Sequence, residues 1–140
     1  MWIQKQLTIK ALRRGFHLIT DDILGQTPEL KAINIGMMNI FIQHTSASLT
    51  INENADPSVR DDFEAYFNNN VRENEPYYTH IYEGSDDMPA HLKSSILGAS
   101  LNIPITNGNL NMGIWQGIYL CEHRDHATSR QLVVTIQGGS

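Results

Sequence analysis

The thirteen residues from His44 to Asp56 carry one imidazole, four hydroxyls, two carboxamides and two carboxylates, directly after the apolar run Ile40-Phe41-Ile42. Polar atoms set against a core strand must find partners or line a pocket, because burial without hydrogen bonds is costly. Ser46, Ser48 and Asn52 are therefore candidate ligand contacts. Six histidines are spread along the chain, His17, His44, His80, His91, His123 and His126. None has the HExxH or cysteine-paired spacing of a zinc motif, so spacing alone leaves each as an ordinary hydrogen-bonded histidine. Three of them, His44, His91 and His123, stand where segments begin or end, beside acidic or hydroxyl residues that could orient an imidazole. If the fold gathered them, a divalent ion would retain open positions for Lewis-acid work.

Cations and carboxylates accompany these blocks. Arg124, Arg130 and Lys93 are the nearest positive groups in sequence, suited either to a phosphate or to ordinary salt bridges. Asp86 and Asp87 precede a helix-like segment, where one caps the helix or both hold a hard cation such as Mg²⁺. Glu122 adjoins His123 and, with Asp87, could orient an imidazole or move a proton. Ser46 or Ser48 with a histidine and an aspartate would make a hydrolase triad, but no Gly-x-Ser-x-Gly elbow supports it.

The elements that must position these groups are legible from periodicity and punctuation. From Trp2 to Ile9 one parity carries Ile3, Lys5, Leu7 and Ile9, a half-buried strand, and Phe16 to Thr20 makes a second after Gly15. Asp21-Asp22 and Thr27-Pro28 each open a short helical turn, with Thr27 as cap. Gly36 to Gln43 is apolar enough to be buried on both faces, and Ser46 to Ile51 forms a further strand. Asp56-Pro57 starts a helix running to about Phe67, with Val59, Phe63, Tyr66 and Phe67 on one buried face. Arg72 to Tyr82 forms a long excursion, after which a second helix runs from Asp86 to Gly98. Strands follow at Ser100 to Ile105, Asn111 to Glu122 and Arg130 to Gln137, with Gly108 in a hairpin turn. Trp115, between Gly113 and Gly117, is expected as a core anchor or a subunit contact. The sum is α+β, with a mostly antiparallel, β-sandwich-like core and two helices, in a single domain over residues 1–140.

The chain's balance narrows its partners. A net charge of −5 disfavours general nucleic-acid or anionic-membrane binding, though one local cationic pocket would still take a small phosphorylated ligand. Lys10-Ala-Leu-Arg13-Arg14 is a basic cluster that reads most simply as a solvated strand end. A single cysteine, Cys121, excludes an internal disulfide and reads as a small core residue. Neither a secretory signal nor a membrane-spanning run is present, which makes the cytosol the expected location.

Taken together, His44-Thr-Ser-Ala-Ser-Leu, Asn52-Glu-Asn-Ala-Asp56-Pro, Asp86-Asp-Met-Pro-Ala-His91, Lys93-Ser94-Ser95, Gly113-Ile-Trp115-Gln116-Gly117 and Glu122-His123-Arg124 resemble the YjbQ-like family, a group sometimes labelled secondary thiamine-phosphate synthase. The resemblance covers nearly the whole chain, with two departures: Ile114 stands where the family often has Thr, and Asp125-His126-Ala127-Thr128 where it often has Gly. It implies an α+β, sandwich-like homotrimer with sites near subunit contacts, and His44, His91 and His123 as the clustered metal or ligand site. The label implies joining a hydroxymethylpyrimidine diphosphate to a thiazole phosphate with release of pyrophosphate. Such a transfer calls for Mg²⁺ on oxygen ligands, whereas three imidazoles suit Zn²⁺ or another transition metal. The expectation is a metal-dependent enzyme for a small anionic or phosphorylated metabolite, with Arg124, Arg130, Lys93, Ser46, Ser48 and Asn52 on the ligand and thiamine-phosphate synthesis as a weak side activity. The alternative is a non-catalytic trimer that binds a small ligand or metal.

Overall fold

A computed structural model describes all 140 residues, Met1–Ser140. Eight strands form two antiparallel sheets. The larger is built from β1 (Trp2–Ile9), β3 (Ile35–Ile42), β5 (Ser100–Thr106), β6 (Asn109–Leu110) and β8 (Arg130–Gly139), in the order β1-β8-β3-β5-β6. The smaller contains β2 (Gly15–Leu18), β4 (Ala47–Glu53) and β7 (Gln116–Glu122), in the order β2-β7-β4. Helices α1 (Thr20–Gln26), α2 (Pro57–Asn70) and α3 (Asp87–Leu97), with a 3-10 turn at Pro28–Ala32, complete the chain. The α+β expectation holds, with α1 added to the two helices read from sequence.

Register explains the core. Met38 pairs with Ile136, Ile40 with Val134, Ile42 with Leu132 and Leu7 with Leu132, so one face of the large sheet is a continuous apolar surface. Leu49 and Leu120 pair on the small sheet and belong to the same apolar cluster. Because strand side chains alternate, Ser48, Tyr119, Cys121 and Phe16 point the other way, and there they meet Phe63 and Phe67 of α2 and Leu97 of α3. The molecule therefore has three layers, large sheet, small sheet and helices, and only the small sheet is covered on both sides. That corrects the reading of Gly36 to Gln43 as a doubly buried strand: Met37 and Phe41 lie on the open face at 42% and 45% exposure. The doubly buried strand is β7, whose run Ile118-Tyr119-Leu120-Cys121 is fully enclosed.

Local signals were read well at some termini and poorly at others. Asp56 caps α2 by accepting from the Ser58 amide, with Pro57 in the first turn. The helix runs past Phe67 to Asn70, because Asn69 and Asn70 donate back to the carbonyls of Ala65 and Tyr66 instead of breaking it. No residue of α2 is fully buried: Val59, Phe63 and Phe67 are half-buried, and Tyr66 lies outside their stripe, exposed to solvent. Thr27 does not cap the 3-10 turn; its hydroxyl donates to the Ile23 carbonyl. Asn107 and Gly108, at φ 52° and 75°, make the β5–β6 hairpin, and the Gly108 amide donates to Ile33. The predicted strand Asn111 to Glu122 begins only at Gln116. Trp115 precedes it, 62% exposed, and is no core anchor.

Candidate metal centre and adjoining groove

Asp87 and His91 lie four residues apart on α3 and so share one helix face. The loop between α2 and α3 folds back to add His80. One carboxylate oxygen, Asp87 Oδ2, lies 2.6 Å from His80 Nε2 and 3.1 Å from His91 Nε2. The three ligand atoms all fall within 4.8 Å of one another. The other Asp87 oxygen accepts from Arg124, which also donates to Asp86 Oδ2 at 2.8 Å. Asp86 does not cap α3; its carboxylate instead takes the Arg124 side chain and the Asp125 amide. Burial alone would raise both aspartates, but these bonds and the nearby charge outweigh it and hold both below the usual carboxylate range.

Proton placement at His91 decides what this cluster can hold. His91 Nδ1 lies 2.9 Å from the Thr45 carbonyl, which can only accept. The neutral ring therefore carries its proton on Nδ1 and turns the Nε2 lone pair toward Asp87. A lone pair and a carboxylate oxygen at 3.1 Å repel unless a proton or a cation joins them. A backbone carbonyl accepting from one imidazole nitrogen, which leaves the other nitrogen's lone pair free for an ion, is the usual setting of a ligating histidine. Tetrahedral ions with bonds of about 2.0–2.1 Å separate their ligand atoms by about 3.3 Å. The His91–Asp87 spacing nearly matches that, and His80, on an exposed loop, needs to draw back by about 0.7 Å from Asp87 to match it. The donor set, two nitrogens and one oxygen, suits Zn²⁺ or a neighbouring transition metal better than Mg²⁺.

A groove of about 560 Å³ runs from His91 past Ser94 and Ser95 to Thr45 and His44. The Gln131 amide donates to His44 Nε2 at 2.8 Å, so the neutral His44 ring keeps its proton on Nδ1, which has no protein partner. Burial, then the charge of Arg130, holds the His44 pKa below the ordinary histidine value. His44 is thus a fixed neutral donor. Its position is set from behind: Glu122, fully buried, accepts two bonds from Arg130 at 2.6 and 2.7 Å, and Arg130 also donates to Ser46. That pair anchors the start of β8, where Gln131 meets His44.

The structure does not gather His44, His91 and His123. His123 is 1% exposed and shares a 2.8 Å hydrogen bond with the enclosed Ser48 hydroxyl. Burial, with Lys93, Arg14 and Arg130 nearby, pushes its pKa down to about 3, so it is a neutral core imidazole. Ser48 and His123 therefore touch as a hydrolase pair would, yet neither reaches the surface. Lys93 is buried as well, its ammonium donating to Asn68 at 2.7 Å. Burial, then Arg14, holds it below the usual lysine range. Asn52 lies at the far end of β4, accepting from the Glu53 amide. Arg124 and Arg130, read as phosphate contacts, both face carboxylates. His80 was the functional candidate that sequence missed; its one signal, a histidine in a long aromatic excursion, has no spacing relation to Asp87 until the loop folds.

Comparison with known proteins places these residues in a wider group. The family model described as UPF0047 protein YjbQ-like matches residues 5–139. The chain belongs to this family. It is 54% identical over 138 residues to the UPF0047 protein YjbQ of Escherichia coli O157:H7, with 99% of each chain covered. It is 36% identical over 140 residues to UPF0047 protein YugU of Bacillus subtilis, covering 96% of this chain and 98% of the relative. Among solved structures, a YbjQ-like protein of unknown function from Sulfolobus solfataricus superposes with a TM-score of 0.86 at 25% identity, covering 99% and 98% of the two chains. An uncharacterised family member from Clostridium acetobutylicum gives 0.84 at 35% identity, covering 95% and 99%. None of these names carries a reaction. No helix is long and apolar enough to cross a membrane.

Proposed function

We propose that this family member is a metal-dependent enzyme for a small anionic metabolite, with the ion held by His80, Asp87 and His91 and the substrate in the groove leading to His44. The observation that carries this reading is the pair of imidazole nitrogens directed at one carboxylate oxygen, with the His91 proton already committed to the Thr45 carbonyl. A divalent ion there would polarise a phosphoryl or carbonyl oxygen and acidify water. The protein's own part is orientation: the His44 Nδ1–H donates to a substrate oxygen, the hydroxyls of Thr45 and Ser95 line the groove beside it, and Arg124 fixes the Asp87 carboxylate. Such a division favours hydrolysis of a small ester or related group. The diphosphate transfer implied by the family label would need free cations, and Arg124, Arg130 and Lys93 are all engaged within the protein.

The test is metal stoichiometry by elemental analysis and Co²⁺ absorption spectroscopy on the untagged protein, beside His80→Ala, Asp87→Asn, His91→Ala and His123→Gln. One ion per chain, lost in the first three and kept in the last, is the expected result. Loss in His123→Gln with retention in His80→Ala would overturn the ligand assignment. Stoichiometric metal with no turnover across phosphate esters, carboxylic esters and lactones would assign the protein to metal or ligand binding without catalysis.

A further inference from the structure

The chain has ten lysines and arginines. Lys5, Arg14, Arg124 and Arg130 are in ion pairs, and Lys93 donates to Asn68. Lys10, Arg13, Lys31, Arg60 and Arg72 make no side-chain hydrogen bond or ion pair. Three of these five, Lys10, Arg13 and Arg60, line a single cleft of about 500 Å³ between the β1–β2 connection and the start of α2. In a protein of net charge −5, that concentration runs against the background. Two carboxylates, Asp22 and Asp61, share the lining, but neither pairs with the cations, and the cleft stays net positive.

Its walls are as informative as its charges. Phe16, buried at 6% exposure with its ring packed 5.3 Å from Phe63 and 5.9 Å from Phe67, closes the bottom of the cleft, and the half-buried Leu12 and Leu18 give it apolar surface. His17 Nε2 donates to the Arg13 carbonyl at 2.6 Å, which fixes the backbone that carries Arg13. The start of α2 adds little, because Pro57 has no amide hydrogen and Asp56 already occupies the Ser58 amide. Side-chain cations over an apolar floor therefore make the site.

We propose that this cleft is a second ligand site, for a small organic phosphate whose apolar body rests against Leu12 and Leu18 while Arg13, Arg60 and Lys10 take the phosphoryl oxygens. Guanidinium pairs suit phosphate bidentately, and a cleft of this size admits a small metabolite. The site lies at the β2 edge of the small sheet, whereas α3 and its histidine groove lie against β4. Ligand bound here can be told apart from substrate.

Phenyl phosphate is the probe, titrated into the full ¹⁵N-labelled chain, with inorganic phosphate and phenol titrated in parallel. Expected are saturable amide shifts confined to residues 10–19 and 58–61, with a Kd of about 1 mM or tighter and weaker binding of either fragment alone. The double variant Arg13→Gln/Arg60→Gln, at one exposed and one half-buried side chain, should weaken phenyl phosphate about tenfold or more. Arg13→Lys/Arg60→Lys should bind at an affinity between the glutamine variant and the wild type, and His91→Ala should keep the wild-type affinity. No saturable shift, shifts centred on His44 and His91, or equal binding by the glutamine variant would each overturn the assignment.

Discussion

Acidification should reveal His123 as a proton sink that opens only on unfolding. Its pKa is about 3 in the folded protein against 6.5 for an ordinary histidine. Between those values the unfolded chain binds one proton that the folded chain does not. Stability from the neutral ring is therefore complete above about pH 6.5 and is lost as pH falls, at about 1.4 kcal/mol per unit. From about pH 6.5 to about pH 4.5 the loss is about 2.3 kcal/mol, with no discount for solvent because the ring is 1% exposed. Asp86, Asp87 and Glu73, all held below their usual range, add acid sensitivity of their own, but mostly at lower pH. A His123→Gln variant isolates the histidine, since the carboxylates remain in both proteins. Urea unfolding followed by circular dichroism across this range should show the wild type losing about 2.3 kcal/mol more than the variant, whatever constant offset the substitution introduces. Two stability lines that stay parallel would refute the assignment of a neutral, buried His123.

Glu122→Ala should cost about 3–5 kcal/mol in thermal denaturation by leaving the Arg130 guanidinium buried and unpaired, and Glu122→Leu/Arg130→Met should recover most of it. Gly108→Ala should destabilise by about 1–2 kcal/mol in chemical unfolding, since φ is 75° and the new Cβ would sit 2.9 Å from the Lys31 carbonyl oxygen. On the proposed metal site, Arg124→Gln should weaken Zn²⁺ affinity about tenfold by calorimetry, because it frees the Asp87 carboxylate to turn; unchanged affinity would remove Arg124 from the site's support.

Sequence carried local structure further than it carried assembly. Asp56-Pro57 signalled a helix start because the cap and the missing amide act within three residues. The Asn107-Gly108 hairpin was legible for the same reason. Whether a strand is covered on one face or two depends on which layer lies above it, and this misplaced the enclosed strand from β7 to β3. The same distance problem governed the histidines. Asp87 and His91 shared a helix face that spacing alone reveals, but His80 joins them only through the folding of a long loop. Arginines 124 and 130 were visible as cations near the blocks; that carboxylates claim them could be seen only after β7, β8 and α3 were placed together.

The strand order β1-β8-β3-β5-β6 also dictates when the molecule can fold. β8 lies between β1 and β3 and pairs with both along eight residues each. On a growing chain, residues 2–9 must wait until residues 130–139 leave the ribosome before finding their neighbour. Until then β1 lacks the one strand that pairs with it, and β3 has only β5 on one flank. The small sheet is less delayed, since β2, β4 and β7 are all made by residue 122. Synthesis therefore leaves a short interval, between residues 122 and 139, in which the strands of one sheet are complete and those of the other are not, and premature pairing between neighbouring nascent chains is then a hazard.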